Sequence, residues 1–259
     1  MTRNQVFEIL QQAGGIRAAR IITDNCKSLS GWRVRKMVRQ LKQGVPVAKI
    51  IHQKWFYGLK FYTNKYTLDP RPDTETLVAA VIVDCDKNCA PRILDLGTGT
   101  GCIISALVKN IYGASGVGID KSWRALWVAK KNVRDLNLQK SVKIQRGDFF
   151  AKNKKLGQFD VIVSNPPYIA YGDYRVDDGA VHDPELALYA SDNGLGAYKV
   201  IAQNAKNWLK DGGKIYLEIG QGQTEAVKNI FTNSGWDFLR VESDLADVER
   251  VLVFVKVQM

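Results

Sequence analysis

Apolar positions recur along this chain in two rhythms. In the first fifty residues the rhythm is helical. Val6, Ile9, Leu10 and Ala13 stand at i, i+3, i+4 and i+7, a stripe that Gly14-Gly15 ends, and a short helical stretch over 16–22 follows. Val34, Val38, Leu41 and Val45 form a second stripe, broken at Gly44 and Pro46, with Arg33, Arg35, Lys36, Arg39 and Lys42 on the other faces. Residues 55–69 change character: aromatic and β-branched residues with turn formers at Gly58 and Asn64-Lys65 predict a β-hairpin link. Pro70 and Pro72 then fix the chain, and Asp73 or Thr74 is placed to cap a helix carrying Leu77, Val78 and Val81.

From Arg92 onward, short apolar runs alternate with helical stripes. Strands are expected at 92–96, 116–119, 142–146, 159–163, 214–219, 236–241 and 250–257, with helices at 101–110, 122–136, 195–209 and 223–233. Such alternation argues an α/β fold, a parallel sheet covered by helices on both faces, with the last two strands paired like a hairpin. The expected organisation is a small helical domain (1–54), a hairpin link (55–69) and an α/β domain (70–259).

The chemistry is concentrated where strands end. Ile93, Leu94 and Leu96 run into Gly97-Thr98-Gly99-Thr100-Gly101, and an apolar helical pattern follows. Glycines let backbone pass close to a ligand, and a helix N-terminus presents unpaired N–H groups to an anion. Asp120, 19 residues beyond Gly101, ends the next strand and is placed to accept hydrogen bonds from ribose hydroxyls. The spacing is acid-x-G-x-G-x-G from Asp95, not the G-x-G-x-x-G of a dinucleotide site, and no Gly-Lys-Ser/Thr follows. It resembles the first motif of S-adenosylmethionine-dependent methyltransferases. Asp148-Phe149, after the third strand, fits the loop that borders the adenine of that cofactor.

A second motif follows the strand at 159–163: Asn165-Pro166-Pro167-Tyr168. Two successive prolines donate no backbone hydrogen bonds, so the loop offers carbonyl oxygens and a rigid shape. Asn165 adds a side-chain acceptor and donor, and Tyr168 a flat face. The set suits a planar NH₂ with a delocalised lone pair, as in an amide or an adenine. Hydrogen bonds to Asn165 Oδ1 and the Pro166 carbonyl would orient that nitrogen for attack on a sulfonium methyl.

Composition narrows the classes. With 259 residues, 46% of them hydrophobic, the chain can bury a sizeable core. The apolar run over 77–83 is too short to cross a bilayer, and the N-terminus lacks the apolar stretch of a secretory signal. Cys26, Cys85, Cys89 and Cys102 form no disulfide framework, and with only His52 and His182 no metal site is expected. Reduced cysteines point to the cytoplasm. Of the net +11, most sits in residues 1–54, where eleven Lys/Arg face two acids, which suggests an anionic partner for that part.

Motif order and flanks together resemble the HemK-type methyltransferases that modify the glutamine of class-1 peptide chain release factors. Besides D-L-G-T-G-T-G and N-P-P-Y-I, the resemblance rests on W-F-Y-G-L-x-F, P-R-P-D-T-E-x-L-V, Asp183-Pro184-Glu185-Leu186-Ala187-Leu188, Asp192-Asn193-Gly194-Leu195, Leu217-Glu218-Ile219-Gly220 with Gln223, and Glu249-Arg250-Val251. It implies a Rossmann-like seven-stranded methyltransferase sheet with a small N-terminal helical domain that helps dock the protein substrate. It implies S-adenosylmethionine contacts from Gly97 to Gly101, Asp120 and Phe149, and an amide clamp from Asn165, Pro166, Pro167 and Tyr168, with Asn165 touching both ligands. The acceptor would be the glutamine of the release factor's Gly-Gly-Gln loop. The sequence departs from the family at Asp69, usually aliphatic, at Asp73 and Asp183, usually Glu, and at Asn193, usually Asp. The N-terminal part is also shorter and more basic than usual. The alternative reading is an adenine-N6 DNA or RNA methyltransferase, which shares N-P-P-Y and for which the basic arm would hold phosphates.

Overall fold

The computed structural model describes residues 1–26, 29–85, 90–150, 156–173 and 178–256. Cys89 and Lys27 lie outside them. Three helices come first: α1 (Arg3–Asn25), α2 (Gly31–Lys42) and α3 (Val47–Ile51). The Gly14-Gly15 break is a kink inside α1 and not its end, with Gly15 at φ 83°. At Gly14 α1 passes so close to α2 that an added Cβ would lie 2.9 Å from Leu41 Cδ2. Val6, Leu10, Ala19, Ile22, Val34 and Ile50 pack into a separate small core.

The hairpin is β1 (Lys54–Phe56) and β2 (Leu59–Phe61), turned at Tyr57 and Gly58, both at positive φ. Its two phenylalanines reach into the core of the larger part. Next comes α4 (Thr74–Asp84). Asp73 occupies its N-cap position, but its side chain makes no capping hydrogen bond. Asp73 instead pairs with Arg250 (3.2 Å), and Thr74 is buried at the functional site.

The α/β part continues as β3 (Arg92–Leu96), α5 (Cys102–Asn110), β4 (Ser115–Asp120), α6 (Trp123–Asp135), β5 (Val142–Arg146), β6 (Phe159–Ser164), β7 (Ile169–Ala170), α7 (Glu185–Leu188), β8 (Tyr189–Ala190), α8 (Gly196–Asn204), β9 (Leu209–Glu218), α9 (Thr224–Asn233), β10 (Trp236–Ser243) and β11 (Glu249–Lys256). The helix expected to run to residue 209 ends at Asn204 in a 3₁₀ turn, and β9 starts five residues earlier than the pattern indicated because Leu209 already pairs with Phe159. Seven strands form one sheet in the order β10-β11-β9-β6-β3-β4-β5. Only β11 runs antiparallel to the rest, inserted between β9 and β10.

Alternation along these strands builds two cores. Ile93, Val161, Val163, Tyr216 and Val253 face α4, α5 and α6, while Leu94, Leu96, Ile162, Leu217 and Phe254 face α8 and α9. Strand order reverses at β3, whose neighbours are β4 on one side and β6 on the other, and in such sheets ligands bind at the carboxyl ends beside that reversal. The β3 and β6 ends are level: Leu96 pairs with Ser164, and Ser164 Oγ donates to the Leu96 carbonyl at 2.8 Å. The two motif loops therefore leave the sheet side by side. Among the described residues no helix is long and apolar enough to cross a membrane.

Candidate active site

Two adjoining cavities open above the carboxyl ends of β3, β4, β6 and β9. The first, about 350 Å³, is lined by Gly97, Thr98, Gly99 and Thr100 from the β3 loop, Asp120 from β4, and Asp148, Phe149 and Phe150 after β5. Gly97, Gly99 and Gly101 all hold positive φ, the region L side chains rarely occupy. Their surroundings separate their roles. A Cβ at Gly99 would meet nothing nearer than the Gly97 carbonyl at 3.8 Å, so this backbone faces open cavity. A Cβ at Gly101 would lie 3.3 Å from Ala129 Cβ, and Gly101 is not on the cavity wall; it lets α5 start hard against α6.

Asp120 is fixed by backbone. The Gly99 N–H donates to its Oδ2 (3.0 Å) and the Ser122 N–H to its Oδ1 (2.8 Å). Burial raises its pKa, and those two N–H groups and Lys121 oppose the rise. Beneath the loop, Asp95 accepts from Thr98 Oγ1 (2.6 Å) while its Oδ1 has no partner among the described residues; burial pushes this acid up to about 7. Cys102, also on the wall, is pushed up to about 12 by burial, which leaves its thiol protonated and unreactive at neutral pH. Phe149 and Phe150 stack at 4.9 Å, and the Phe149 carbonyl accepts from the buried Asn204 amide (2.8 Å). Asp148 turns inward on the loop to accept from the Phe150 N–H (2.9 Å).

The second cavity, about 570 Å³, is lined by Asn165, Tyr168, Asp73, Glu218, Gln223 and Arg250 among others. Asn165 lines both cavities, and so do Leu68, Arg71 and Ala187. Its side-chain Nδ2 donates to Thr74 Oγ1 (3.1 Å). Pro167 faces the first cavity, Tyr168 the second, and Pro166 is buried behind both. The loop's shape is held from outside: Gln223 Nε2 donates to the Tyr168 carbonyl (3.0 Å) and Gln223 Oε1 accepts from the Gly220 N–H (3.0 Å). At Gly194 a Cβ would stand 2.2 Å from that same Tyr168 carbonyl, so glycine is required there.

Three functional features were not singled out from the sequence. Phe150 joins Phe149 on the wall. Asn132, a buried polar residue on α6, ties the hairpin to the β3 loop: its Oδ1 accepts from the Tyr62 N–H (2.7 Å), and its Nδ2 donates to the Tyr62 and Thr100 carbonyls (2.9 Å each). Lys49, one of the eleven cations of residues 1–54, is 4% exposed. Its Nζ lies 2.7 Å from Asp183 Oδ1 and 3.3 Å from Asp69 Oδ1, and it donates to the Asn64 and Thr67 carbonyls. Arg71 completes the cluster on Asp183 at 2.9 Å. Two of the unusual acids, Asp69 and Asp183, thus exist opposite one buried lysine. The signal was the pairing of one midchain lysine with two misplaced aspartates, which spacing alone does not reveal.

Comparison with known proteins agrees with this geometry. The Methyltransferase small domain family model matches residues 73–183. The chain is 40% identical over 228 residues to a release factor glutamine methyltransferase of Agrobacterium fabrum, spanning 86% of this chain and 78% of that one. It is 35% identical over 255 residues to the protein of that name from Caulobacter vibrioides, spanning 96% and 87%. Among solved structures, a methyltransferase from Pyrococcus furiosus aligns with a TM-score of 0.56 at 16% identity, covering 88% of this chain and 99% of that one, a likeness of fold alone.

The methyl donor of such enzymes, S-adenosylmethionine, suits the first cavity by its donor set. A carboxylate held by two backbone N–H groups stands at one wall, side-chain-free backbone at Gly99 at another, and a stacked phenylalanine pair at a third. A seven-stranded sheet with one inserted antiparallel strand, both motif loops at its switch point and identity of this level across most of two curated relatives lead to one conclusion: the chain belongs to the release factor glutamine methyltransferase family.

Proposed function

We propose that this protein transfers a methyl group from S-adenosylmethionine to the side-chain amide nitrogen of the glutamine in the Gly-Gly-Gln loop of a class-1 peptide chain release factor, in the cytoplasm. The observation that carries the reading is Asn165, which lines both cavities at once. One cavity takes the cofactor and the other the acceptor, and the amide to be methylated sits at their junction. The cofactor supplies a methyl group on a sulfonium sulfur.

The chain's own residues bind and orient. Gly97, Thr98, Gly99 and Thr100 offer backbone to the amino-acid end, with Gly101 setting the turn behind them. Asp120 accepts from the ribose hydroxyls, and Asp148, Phe149 and Phe150 border the adenine. Asn165 Oδ1 and the Pro166 carbonyl each accept one N–H of the glutamine amide, while Pro167 and Tyr168 shape the slot. An amide nitrogen is a weak nucleophile because its lone pair is shared with the carbonyl. Two accepted hydrogen bonds return electron density to it and aim it, which is catalysis by positioning and electrostatics. The nitrogen then releases one proton.

Residues 1–54 serve as the docking part, and the exposed cations of α2 meet an anionic face of the partner. The test is methyl transfer from labelled cofactor to a purified release factor, beside a Gln-to-Ala loop variant and double-stranded DNA. Label on the wild-type factor alone is expected, and Asn165→Ala should lower turnover by about 10²- to 10³-fold with cofactor binding retained. Label on DNA and not on the factor would overturn the assignment.

A further inference from the structure

Glu218 ends β9 with its carboxylate inside the protein, 2% exposed and on the wall of the acceptor cavity. Leu217 pairs with Ser164 across β9 and β6, so Glu218 lies level with Asn165 on the neighbouring strand end. A buried carboxylate is costly unless partnered. Its Oε2 has no partner among the described residues, and the nearby Thr74 hydroxyl and Asn165 amide favour its ionised form. Thr74 has one proton to give. If that proton goes to Glu218, Thr74 Oγ1 can only accept, and what it accepts is the Asn165 Nδ2 hydrogen at 3.1 Å.

We propose that Glu218 is a positioning residue, which through the Thr74 hydroxyl holds the Asn165 amide with its NH₂ turned inward and its Oδ1 turned toward the glutamine. The inference rests on the acceptor assignment above, and it explains how a freely flippable amide presents one face. The first link, Asn165 Nδ2–H to Thr74 Oγ1, is in place, and in the proposed relay the Thr74 O–H turns to the Glu218 carboxylate. Protonation of Glu218 reverses the last link: the acid donates to Thr74, whose hydroxyl is freed to donate to Asn165, and the acceptor oxygen is drawn away from the slot.

The groups facing Glu218 set where that reversal falls. Burial pushes its pKa up to about 7, Asp73 at the start of α4 adds to the rise, and Thr74, Arg250 on β11 and Asn165 oppose it. Tyr168 from the β6 loop, Tyr198 from α8 and Cys102 from α5 also lie within its field, and the Tyr198 hydroxyl donates to the Glu218 carbonyl at 2.8 Å. Turnover should therefore fall on the acid side of neutrality.

Glu218→Gln and Thr74→Val keep the shapes and remove one link each. Both should lower kcat roughly 10- to 100-fold, a loss typical of removing the partner that orients a functional side chain, and Glu218→Gln, which lies off the cofactor cavity, should leave cofactor affinity unchanged. Thr74→Ser, which keeps the hydroxyl, should restore most of the rate. The double variant Glu218→Gln/Thr74→Val should be no slower than either single one, and the acid limb should vanish in Glu218→Gln. A readout without substrate accompanies these: the ¹⁵N resonance of the Asn165 side-chain NH₂, assigned by its loss in Asn165→Ala, should titrate with Glu218 in the wild type and stop titrating in both variants. Failure of the wild type to methylate the release factor would count against the acceptor reading, while the resonance would still judge the relay. An Asn165 signal indifferent to Glu218→Gln and Thr74→Val overturns the proposal. So does a Thr74→Val enzyme at full rate beside a slow Glu218→Gln, because Glu218 would then act on the substrate directly.

Discussion

Replacing Lys49 by Met removes one ammonium from the most enclosed charge cluster in the described structure. Side-chain exposure is 3% for Lys49, 8% for Asp69 and 1% for Asp183. At an effective dielectric of about 20, contacts at 2.7 and 3.3 Å attract by roughly 6 and 5 kcal/mol, and stripping water from the charges cancels most of that. The variant loses the attraction but keeps the desolvated carboxylates, a situation that costs about 3–5 kcal/mol. Two remaining partners place this case at the lower end: Arg71 still faces Asp183, and Thr63 Oγ1 still donates to Asp69 at 2.5 Å. The expected loss is about 3 kcal/mol. Urea unfolding followed by the fluorescence of the six tryptophans measures it, as a lower midpoint at unchanged slope. Adding Asp69→Asn to Lys49→Met should recover part of the loss, because one uncompensated charge disappears. A loss under about 1 kcal/mol, or no recovery in the double variant, would refute the idea that this lysine anchors α3 to the loop before α4.

Three further outcomes are expected. Asp120→Ala should weaken cofactor binding about 10- to 100-fold by calorimetry, the value of hydrogen bonds to a charged acceptor, and wild-type affinity would contradict its ribose role. Asp84 carries a pH signature: burial raises its pKa, but Tyr216, Lys214 and Arg240 more than offset this and hold it at about 2, below the ordinary 3.8. A depressed carboxylate contributes stability that is complete above its unfolded value and fades as pH falls through the folded one. Asp84→Asn should thus flatten the loss of thermal stability between about pH 4 and pH 2, and an unchanged acid limb would exclude this cluster as its source. Charge reversal of Arg35, Lys36 and Arg39 together should raise KM for the release factor and leave cofactor affinity alone, with equal KM showing that this exposed face of α2 touches no substrate.

What the sequence alone determined follows from local rules. Period-2 and period-3.6 patterns fixed the strands and helices of the α/β part, because each element must bury one face and the chain has no other way to do so. The glycines around Thr98 and Thr100, Asp120 at its strand end, and Asn165-Pro166-Pro167-Tyr168 were legible because their chemistry depends on backbone conformation and residue type at short spacing. The tertiary structure decided which of these meet. Pairing of β3 with β6 set the two loops side by side and made Asn165 common to both cavities, and the insertion of β11 brought Arg250 to Asp73. Lys49 was one cation in the basic excess of residues 1–54 until folding placed two distant aspartates against it. Glu218 entered only as part of the Leu217-Glu218-Ile219-Gly220 stretch, and Thr74 as a candidate helix cap. Partners such as these lie far apart in the chain, and only the packed sheet, by excluding water around them, turns them into one hydrogen-bonded unit.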